Sequence, residues 1–156
     1  MLKILFVCTG NTCRSPMAEA VFRHEAVKNI FPFSVDVSSA GLAAFAGEEA
    51  TEHVRQLLGS EGIDIRGHRA LKVNSDLVDE SDLILTMTRS HYSQLVACFP
   101  NAAPKTYLLK EFAGENDSGS EIEDPIGSGL EKYQQVLEEI RVSIKKIILK
   151  LKESYR

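Results

Sequence analysis

The first sixteen residues constrain the fold most strongly, because they show the pattern of a strand, a tight polar turn and the start of a helix. Leu2 to Val7 is short, aliphatic and without alternation, which is typical of a fully buried strand. The polar stretch from Thr9 to Arg14 follows at once, and Pro16 suits the first helical position, where its missing N–H costs nothing. The chain is therefore expected to begin with a strand–loop–helix unit.

The rest of the chain repeats this alternation of strands and helices. Further strands are predicted at Phe33–Ser39, Asp82–Met87 and Lys105–Leu109, and helices at Glu48–Leu58, Asn74–Ser81, Arg89–Phe99 and Leu130–Leu151. Such alternation predicts an α/β fold with three layers, a four-stranded parallel sheet flanked by helices on both faces. Ligands of such folds bind beyond the carboxyl ends of the strands, where the first loop lies.

Composition narrows the class of protein. A length of 156 residues predicts a single domain over residues 1–156. A net charge of −4 argues against a nucleic-acid partner, because no basic stripe dominates. The apolar runs are too short to span a bilayer, and no signal peptide is recognisable, so no membrane partner is expected. The three cysteines form an odd, small set that favours a reduced cytoplasmic setting over a disulfide scaffold.

The loop after the first strand has the features of an oxyanion site. Successive backbone N–H groups can fold into a concave nest, and the helix N-terminus adds partial positive charge. Gly10 permits close approach of the backbone, and Asn11 tolerates left-handed dihedrals. Arg14 can bind two oxygens with its planar guanidinium. We therefore predict a phosphate-binding loop made of Thr9, Gly10, Asn11, Thr12, Cys13, Arg14 and Ser15.

Cys8 is the candidate nucleophile of this loop. A thiol at a helix N-terminus and beside an arginine loses its proton more readily than an ordinary cysteine, and Ser15 could donate a hydrogen bond to the thiolate. Cys-x5-Arg alone is a weak motif, since a cysteine after an aliphatic strand is often part of the core. Here the strand, the glycine, the Arg-Ser-Pro sequence and the helix all favour Cys8 and Arg14 as catalytic residues.

Two other kinds of site do not fit the loop. A nucleotide-binding P-loop would end in Gly-Lys-Ser/Thr, which is missing here. A zinc site would need a second pair of ligands at suitable spacing from Cys8 and Cys13. We therefore expect no metal and no other cofactor.

The leaving group of a phosphoryl transfer needs a proton donor, and Asp124 is the candidate. It lies in the polar segment Ala113–Gly129, which is predicted to be a long surface loop, and Pro125 stiffens the chain beside it. A carboxyl on a loop can protonate the departing atom and then take a proton from water. From spacing alone, a solvated acidic loop is the more common interpretation, because several acidic residues lie nearby.

These residues together resemble the low-molecular-weight protein phosphatases. The resemblance rests on Cys8–Ser15 (CTGNTCRS), Ser39–Gly41 (SAG) and Asp124–Pro125, and it covers nearly the whole chain. It implies a four-stranded parallel sheet, a phosphocysteine intermediate on Cys8 and a general acid at Asp124. It also implies a phosphorylated protein as substrate, with inorganic phosphate as product and inhibitor.

The resemblance further implies a supporting hydrogen-bond network. Its members are Asn11, Ser15, Ser39 and His68, which hold the loop in shape in that family. A strained loop independently needs such support from its surroundings. The other histidines, His24, His53 and His91, are predicted to be ordinary residues of helix surfaces.

Two positions bear on the substrate. Thr12 stands where tyrosine-specific members commonly have isoleucine, and threonine resembles the protein-arginine phosphatase branch. The alternative is that threonine in place of isoleucine has no effect on substrate preference. Ile126 follows Asp124-Pro125, where tyrosine-specific members often carry aromatics and the arginine branch often carries phenylalanine. Phosphoarginine is the predicted substrate, with phosphotyrosine as the alternative.

The cysteines leave further alternatives open. The resemblance allows a reversible disulfide between Cys8 and Cys13. The alternative is that Cys13 only packs inside the loop. An arsenate reductase on the same fold would need several resolving cysteines on a mobile segment, whereas only Cys98 is available, inside a predicted helix. A phosphocysteine carrier would need neither Arg14 nor Asp124.

Overall fold

The protein is described here by a computed structural model that covers residues 1–116 and 119–154. Four parallel strands form one sheet in the order β2-β1-β3-β4. The strands are β1 Leu2–Cys8, β2 Val35–Gly41, β3 Leu83–Thr86 and β4 Thr106–Leu108. The α-helices are α1 Arg14–Val27, α2 Glu52–Ser60, α3 Ser75–Glu80, α4 Arg89–Cys98, α5 Leu109–Phe112 and α6 Leu130–Ser154, and Pro100–Lys105 forms a 3₁₀ helix.

Two hydrophobic clusters lie on opposite faces of the sheet and produce the three predicted layers. Ile4, Phe6 and Cys8 of β1 face a cluster built mainly with α1, α2 and α6. Leu5 and Val7 face the other cluster, which includes residues of α3 and α4. Because β1 is buried on both faces, it carries apolar residues without alternation. The α/β architecture predicted from the sequence is confirmed.

The second predicted helix was placed too early. Residues 48–51 are not helical, and α2 begins at Glu52. The backbone of this segment is engaged elsewhere, since Ala70 N donates to Glu48 O and Thr51 N donates to Thr12 O. A main-chain group that pairs with a distant segment cannot also form the bonds of a helical turn.

Other predicted boundaries of strands and helices also differ from those in the structure. The predicted strand Lys105–Leu109 shrinks to β4, because the 3₁₀ helix ends at Lys105 and the unpredicted short helix α5 begins at Leu109. The helix α1 begins at Arg14 rather than at Pro16. This start places Arg14 in the first helical turn, whose N–H groups have no partner within the helix.

The predicted loop Ala113–Gly129 is largely irregular where it is described, although Asp117 and Ser118 lie outside the described residues. It is not entirely a surface segment, because Ile122 is fully buried and its N–H donates to Met87 O at 2.9 Å. The acid loop, defined as residues 119–129, is therefore anchored to the carboxyl end of β3. Among the described residues, no helix is both long and apolar enough to cross a membrane.

Candidate active site

The phosphate loop, residues 9–15, lies at the carboxyl end of β1 and packs closely on the chain that leaves β2. Leu42 N donates to Cys8 O and Ala43 N donates to Thr9 O, each at 2.9 Å. A Cβ at Gly41 would come within 2.5 Å of Thr9 O and 2.9 Å of Asn11 N. Only glycine fits at position 41 without moving the backbone, a requirement that the sequence pattern alone did not reveal.

Asn11 holds the phosphate loop in a strained conformation from inside. It is fully buried and is the described non-glycine residue with a positive φ, at 55°. Its side-chain Oδ1 accepts a hydrogen bond from Leu71 N at 2.9 Å, and its carbonyl accepts one from His68 Nε2 at 2.8 Å. Because a carbonyl oxygen only accepts, His68 carries a proton on Nε2. Such bonds offset the cost of left-handed backbone at a non-glycine residue.

The amide of Asn11 also orients two serines. Its Nδ2 donates to Ser15 Oγ at 2.8 Å and to Ser39 Oγ at 2.9 Å. Ser15 Oγ lies 2.9 Å from Cys8 Sγ. Ser15 Oγ accepts from the amide of Asn11 with one lone pair, so its own hydroxyl hydrogen stays available to donate to the sulfur. The structure thus brings together the four residues of the predicted network around the loop.

Glu19 is a member of this network that sequence reasoning missed. Ser39 Oγ donates to Glu19 Oε1 at 2.8 Å, and Arg23 Nε donates to Glu19 Oε2 at 3.2 Å. Glu19 lies four residues after Ser15, so both residues lie on one face of α1. This helical spacing from a predicted loop residue was the signal available in the sequence.

The phosphate loop presents N–H groups without protein acceptors. In the described part of the chain, the main-chain N–H groups of Gly10, Asn11, Thr12 and Cys13 donate to no protein acceptor. A concave set of free amides favours an oxyanion ligand. Cys8 precedes this loop at the end of β1 and is 2 % exposed.

Arg14 is buried and connects the phosphate loop to the acid loop. It is 5 % exposed, and its Nη1 donates to Ile122 O at 3.0 Å. Its Nη2 lies 3.5 Å from Asp124 Oδ2. The Nε–H is buried without a partner among the described residues, which is costly unless a ligand accepts its hydrogen bond. An oxyanion in the loop would supply that acceptor.

Asp124 is held loosely by comparison. Its Oδ1 accepts a hydrogen bond from Ile126 N at 3.1 Å, and its side chain is 44 % exposed. Pro125 is buried below it. The carboxyl therefore lies beside the guanidinium of Arg14 with access to solvent, as a group that both gives and takes protons requires.

Cys13 is packed behind the loop and points away from solvent. It is 3 % exposed, and its Sγ lies 3.7 Å from Thr51 Oγ1 and 3.8 Å from Tyr133 OH. Burial raises the pKa of the Cys13 thiol above its ordinary value. Burial and the contact with Cys13 likewise raise the pKa of Tyr133 to about 12. Cys8 and Cys13 are both free thiols in this structure.

The expectation that His91 lies on a helix surface was wrong. His91 is 4 % exposed, and its Nε2 lies 2.8 Å from Thr9 Oγ1. Burial, and secondarily the charge of Arg14, lower the pKa of His91 to about 4. His53 is half-buried with its ring against Tyr133 at 4.8 Å between centroids. Both side chains face inward because of tertiary packing that helical periodicity did not indicate.

We define the mouth of the site by Thr12, Phe45 and Ile126, which lie on three segments and are half-buried or exposed. Thr12 is half-buried in the phosphate loop. Phe45, on the loop after β2, is 74 % exposed, and Ile126 of the acid loop is 57 % exposed. These segments follow the carboxyl ends of strands or precede α6, where a substrate side chain would enter. Among residues 1–116 and 119–154, no group of three His, Cys, Asp or Glu side chains is placed to hold a metal ion.

Comparisons with known proteins identify the family that this geometry defines. Residues 3–156 match the family described as low molecular weight phosphotyrosine protein phosphatase. The chain belongs to this family of cysteine-dependent protein phosphatases.

Relatives within the family carry more specific descriptions. A protein-arginine-phosphatase of Geobacillus stearothermophilus is 38 % identical, over 96 % of this chain and 95 % of that protein. The solved structure of the YwlE arginine phosphatase from the same organism superposes with a TM-score of 0.90 at 37 % identity, over 99 % and 95 % of the two chains.

A second solved structure, with a TM-score of 0.90 at 33 % identity over 97 % and 96 % of the chains, is described as a YwlE arginine phosphatase in which the active-site cysteine is mutated to a phosphorylated serine. These matches confirm the resemblance that the sequence motifs indicated, including the likeness to protein-arginine phosphatases.

Proposed function

We propose that this chain is a protein-arginine phosphatase that hydrolyses phosphoarginine side chains through a phosphocysteine on Cys8. The observation that carries the proposal is the placement of Cys8 Sγ 2.9 Å from Ser15 Oγ, at the start of a loop whose N–H groups at residues 10–13 donate to no described protein acceptor. The descriptions of the relatives as arginine phosphatases support the choice of substrate.

In the first step the Cys8 thiolate attacks phosphorus and the P–N bond to arginine breaks. Three phosphoryl oxygens are bound by the loop amides and by Arg14, whose Nε–H gains the acceptor it lacks. The Ser15 hydroxyl stabilises the thiolate by donating to it. Asp124, in its acid form, protonates the leaving nitrogen. The guanidino group of arginine therefore does not have to leave as an anion.

In the second step a water molecule attacks the phosphocysteine and the S–P bond breaks. Asp124, now a carboxylate, takes a proton from that water, and Cys8 leaves as a thiolate. Inorganic phosphate is released, and it inhibits by occupying the same loop. The partial exposure of Asp124 supports this exchange, because the carboxyl must reach both the leaving group and water. This scheme is supported by the relative described as carrying a phosphorylated active-site serine.

The mouth of the site supports arginine over tyrosine. Thr12 offers a hydroxyl to the guanidinium or to its water, and it lacks the apolar area that would contact a phenyl ring. Ile126 provides an aliphatic wall on the opposite loop in place of an aromatic one. A flexible arginine stem needs an apolar wall but not ring stacking.

The direct test is a comparison of kcat/KM on a phosphoarginine peptide and on a phosphotyrosine peptide of the same sequence. We expect faster turnover of phosphoarginine, and a preference for phosphotyrosine would overturn the assignment. Thr12→Ile is expected to move the ratio toward phosphotyrosine by about tenfold, the scale of one small side-chain change in a pocket. An unchanged ratio would remove Thr12 as a determinant.

Phosphotyrosine hydrolysis is the second candidate function. It is favoured by the exposed aromatic ring of Phe45, which could contact a phenyl ring, and by the family's description. Phe45→Ala separates the two: it should lower phosphotyrosine turnover more than phosphoarginine turnover if the ring stacks. The arsenate reductase is less well supported, because Cys98 is exposed at the last position of α4 and is part of a regular helix.

A reversible disulfide between Cys8 and Cys13 is also part of the proposal. Cys13 lies behind the loop as a protonated, buried thiol, so it would respond only after Cys8 had been oxidised to a sulfenic acid. The sulfenic acid and the Cys13 thiol would then form the disulfide and release water. Peptide mapping after treatment with peroxide should find the linked pair, and finding only over-oxidised Cys8 would dismiss the disulfide.

Phosphorylated proteins are the proposed partners, and the proposed setting is the reducing cytoplasm. The setting is supported by Cys8, Cys13 and Cys98, which are all free thiols. Release of inorganic phosphate from the substrate protein distinguishes a hydrolase from a phosphocysteine carrier, which would retain the phosphoryl group until a second protein accepts it.

A further inference from the structure

The turn that joins β3 to α4 together with the first residues of α4, residues 87–91, contacts the phosphate loop through His91. The Nε2 of His91 lies 2.8 Å from Oγ1 of Thr9, the residue that follows Cys8. Thr9 is otherwise held through its carbonyl, which accepts from Ala43 N at 2.9 Å. The side chain of Thr9 is thus restrained from the β3 side of the sheet by a single histidine.

The same turn contacts the acid loop on its other side. Met87 O accepts a hydrogen bond from Ile122 N at 2.9 Å. Arg89 N donates to Glu121 Oε2 at 2.7 Å. These contacts hold the chain two and three residues before Asp124. The turn therefore connects the two loops that carry the nucleophile and the acid.

His91 is itself firmly placed. Its backbone N–H donates to the side chain of Thr88, which caps α4, at 3.2 Å. Its side chain is 4 % exposed, and Nδ1 is buried with no hydrogen-bond partner among the described residues. A buried polar atom without a partner is costly, and such costs persist at functional sites where another requirement fixes the side chain.

The charges around His91 favour the neutral ring. Arg14 opposes protonation, while Asp124 and Glu121 act in the opposite direction, and burial opposes it most strongly. A neutral imidazole holds Thr9 without adding a second cation beside Arg14. Its contribution is therefore geometric rather than electrostatic.

We propose that His91 is a positioning residue for the proposed phosphatase reaction: it fixes Thr9, and with it the backbone that leads from Cys8 into the phosphate loop, relative to the acid loop. This inference rests on the proposed function. The proposed role differs from a role in folding alone. The Thr9–His91 hydrogen bond is only partly buried, and neither residue belongs to either hydrophobic cluster.

The test is a double-mutant cycle with Thr9→Val, His91→Phe and the double variant. Valine removes only the hydroxyl, and phenylalanine fills the place of the ring without a nitrogen. Each single variant should lower kcat by about threefold to tenfold, the range of one hydrogen bond, and the double variant should be no slower than the slower single. The loss should be equal on phosphoarginine and on 4-nitrophenyl phosphate, because both present the same phosphoryl group to the loop.

Two further measurements separate positioning from stability. The inhibition constant of inorganic phosphate should rise in Thr9→Val and His91→Phe by a similar factor, since phosphate binds in the same loop. His91→Gln, whose amide can again bond Thr9, should recover part of kcat while His91→Phe does not. Additive losses in the cycle, wild-type kcat in Thr9→Val, or a change in melting temperature alone would overturn the proposal.

Failure of this inference is distinguishable from failure of the proposed function. If Cys8→Ser retained turnover, the proposed function would fail whatever the cycle showed. If wild-type protein hydrolysed phosphoarginine, Cys8→Ser did not, and the cycle was additive, only the role of His91 would be overturned.

Discussion

The phosphate loop and the acid loop meet at Arg14 but are built in opposite ways. The phosphate loop is held from several sides, by β2, by the side chains of Asn11 and Ser39, and by His68. The acid loop is anchored at Ile122, and beyond it Asp124 is 44 % exposed with one main-chain hydrogen bond. One loop is held by many hydrogen bonds, whereas the other leaves its candidate carboxyl open to solvent.

This difference suits what each loop does in the proposed mechanism. Stabilising the transferring phosphoryl group requires donors that are already in place, because reorganising them during the reaction would cost free energy. A group that donates a proton in one step and accepts one in the next must reach two positions. In the proposed mechanism, a firmly held loop at Cys8 and a solvent-accessible carboxyl at Asp124 are thus complementary requirements.

Loss of the nucleophile should have the largest effect. Cys8→Ser keeps the shape of the fixed loop but replaces the thiolate with a hydroxyl that is not ionised near neutral pH. We expect kcat to fall by at least about 10⁴-fold, the scale seen when a nucleophile is removed. Steady-state release of phosphate measures this loss, and Cys98→Ser, which makes the same exchange at an exposed thiol, should be unaffected. Near-native turnover by Cys8→Ser would show that another group attacks phosphorus.

Removing the acid should cost less than removing the nucleophile. Asp124→Asn is expected to lower kcat by about 10²-fold to 10⁴-fold, as for general acid–base groups, while the inhibition constant of phosphate changes little. Glu123→Gln is the matched control, because this exposed carboxylate is the neighbour of Asp124 in the same loop. If both variants behaved alike, the acid would lie elsewhere.

The close packing at Gly41 gives a test of rigidity. Gly41→Ala forces a methyl group onto Thr9 O and should lower the free energy of unfolding by about 1–3 kcal/mol, with loss of kcat. Gly59→Ala is the control: it lies in α2, an added Cβ there would meet nothing within 4 Å beyond the adjacent backbone of its own helix, and alanine should be neutral or stabilising. Urea denaturation followed by circular dichroism measures both. Equal stability of the two variants would mean that the loop can yield at position 41.

The last prediction concerns the pH dependence of stability and His91, and its effect is absent near neutral pH. Its pKa is about 4 in the folded protein, below the ordinary value of 6.5, so the unfolded chain binds more protons between these values. The stabilising contribution is complete above about pH 6.5 and is lost as the pH falls toward 4. The free energy of unfolding of wild-type protein should therefore decrease more over this interval than that of His91→Phe. Parallel pH curves for the two proteins would contradict the shift.

Much of the fold was predictable from local patterns. The uninterrupted aliphatic run of β1 and the strand–helix alternation are consequences of a sheet buried on both faces, so they predicted the layers correctly. The start of α2 was wrong because the chain before Glu52 pairs with Ala70 and with the phosphate loop. Such long-range pairing leaves no periodic trace in the sequence.

The residues of the candidate site could be predicted where they lie in one continuous segment. They could not be predicted where the site is formed by contacts between distant segments. The stretch from Cys8 to Ser15 is continuous, so its residue types alone indicated an oxyanion site. Gly41 and His91 act through contacts with that stretch from other strands and helices, and Glu19 acts through Ser39. Of the residues that support the loop from other segments, only Ser39 and His68 were predicted, and both predictions came from the resemblance to a family.

Because Cys8 is the last residue of the inner strand β1, catalytic activity also depends on an intact sheet. The strand is flanked by β2 and β3, so the sulfur cannot be displaced by fraying of a chain end or an edge of the sheet. Catalytic activity in rising denaturant should consequently not outlast the backbone signal of the whole sheet. Damaged copies of the protein would then be inactive copies, with no long-lived species that is half unfolded and still dephosphorylates its targets.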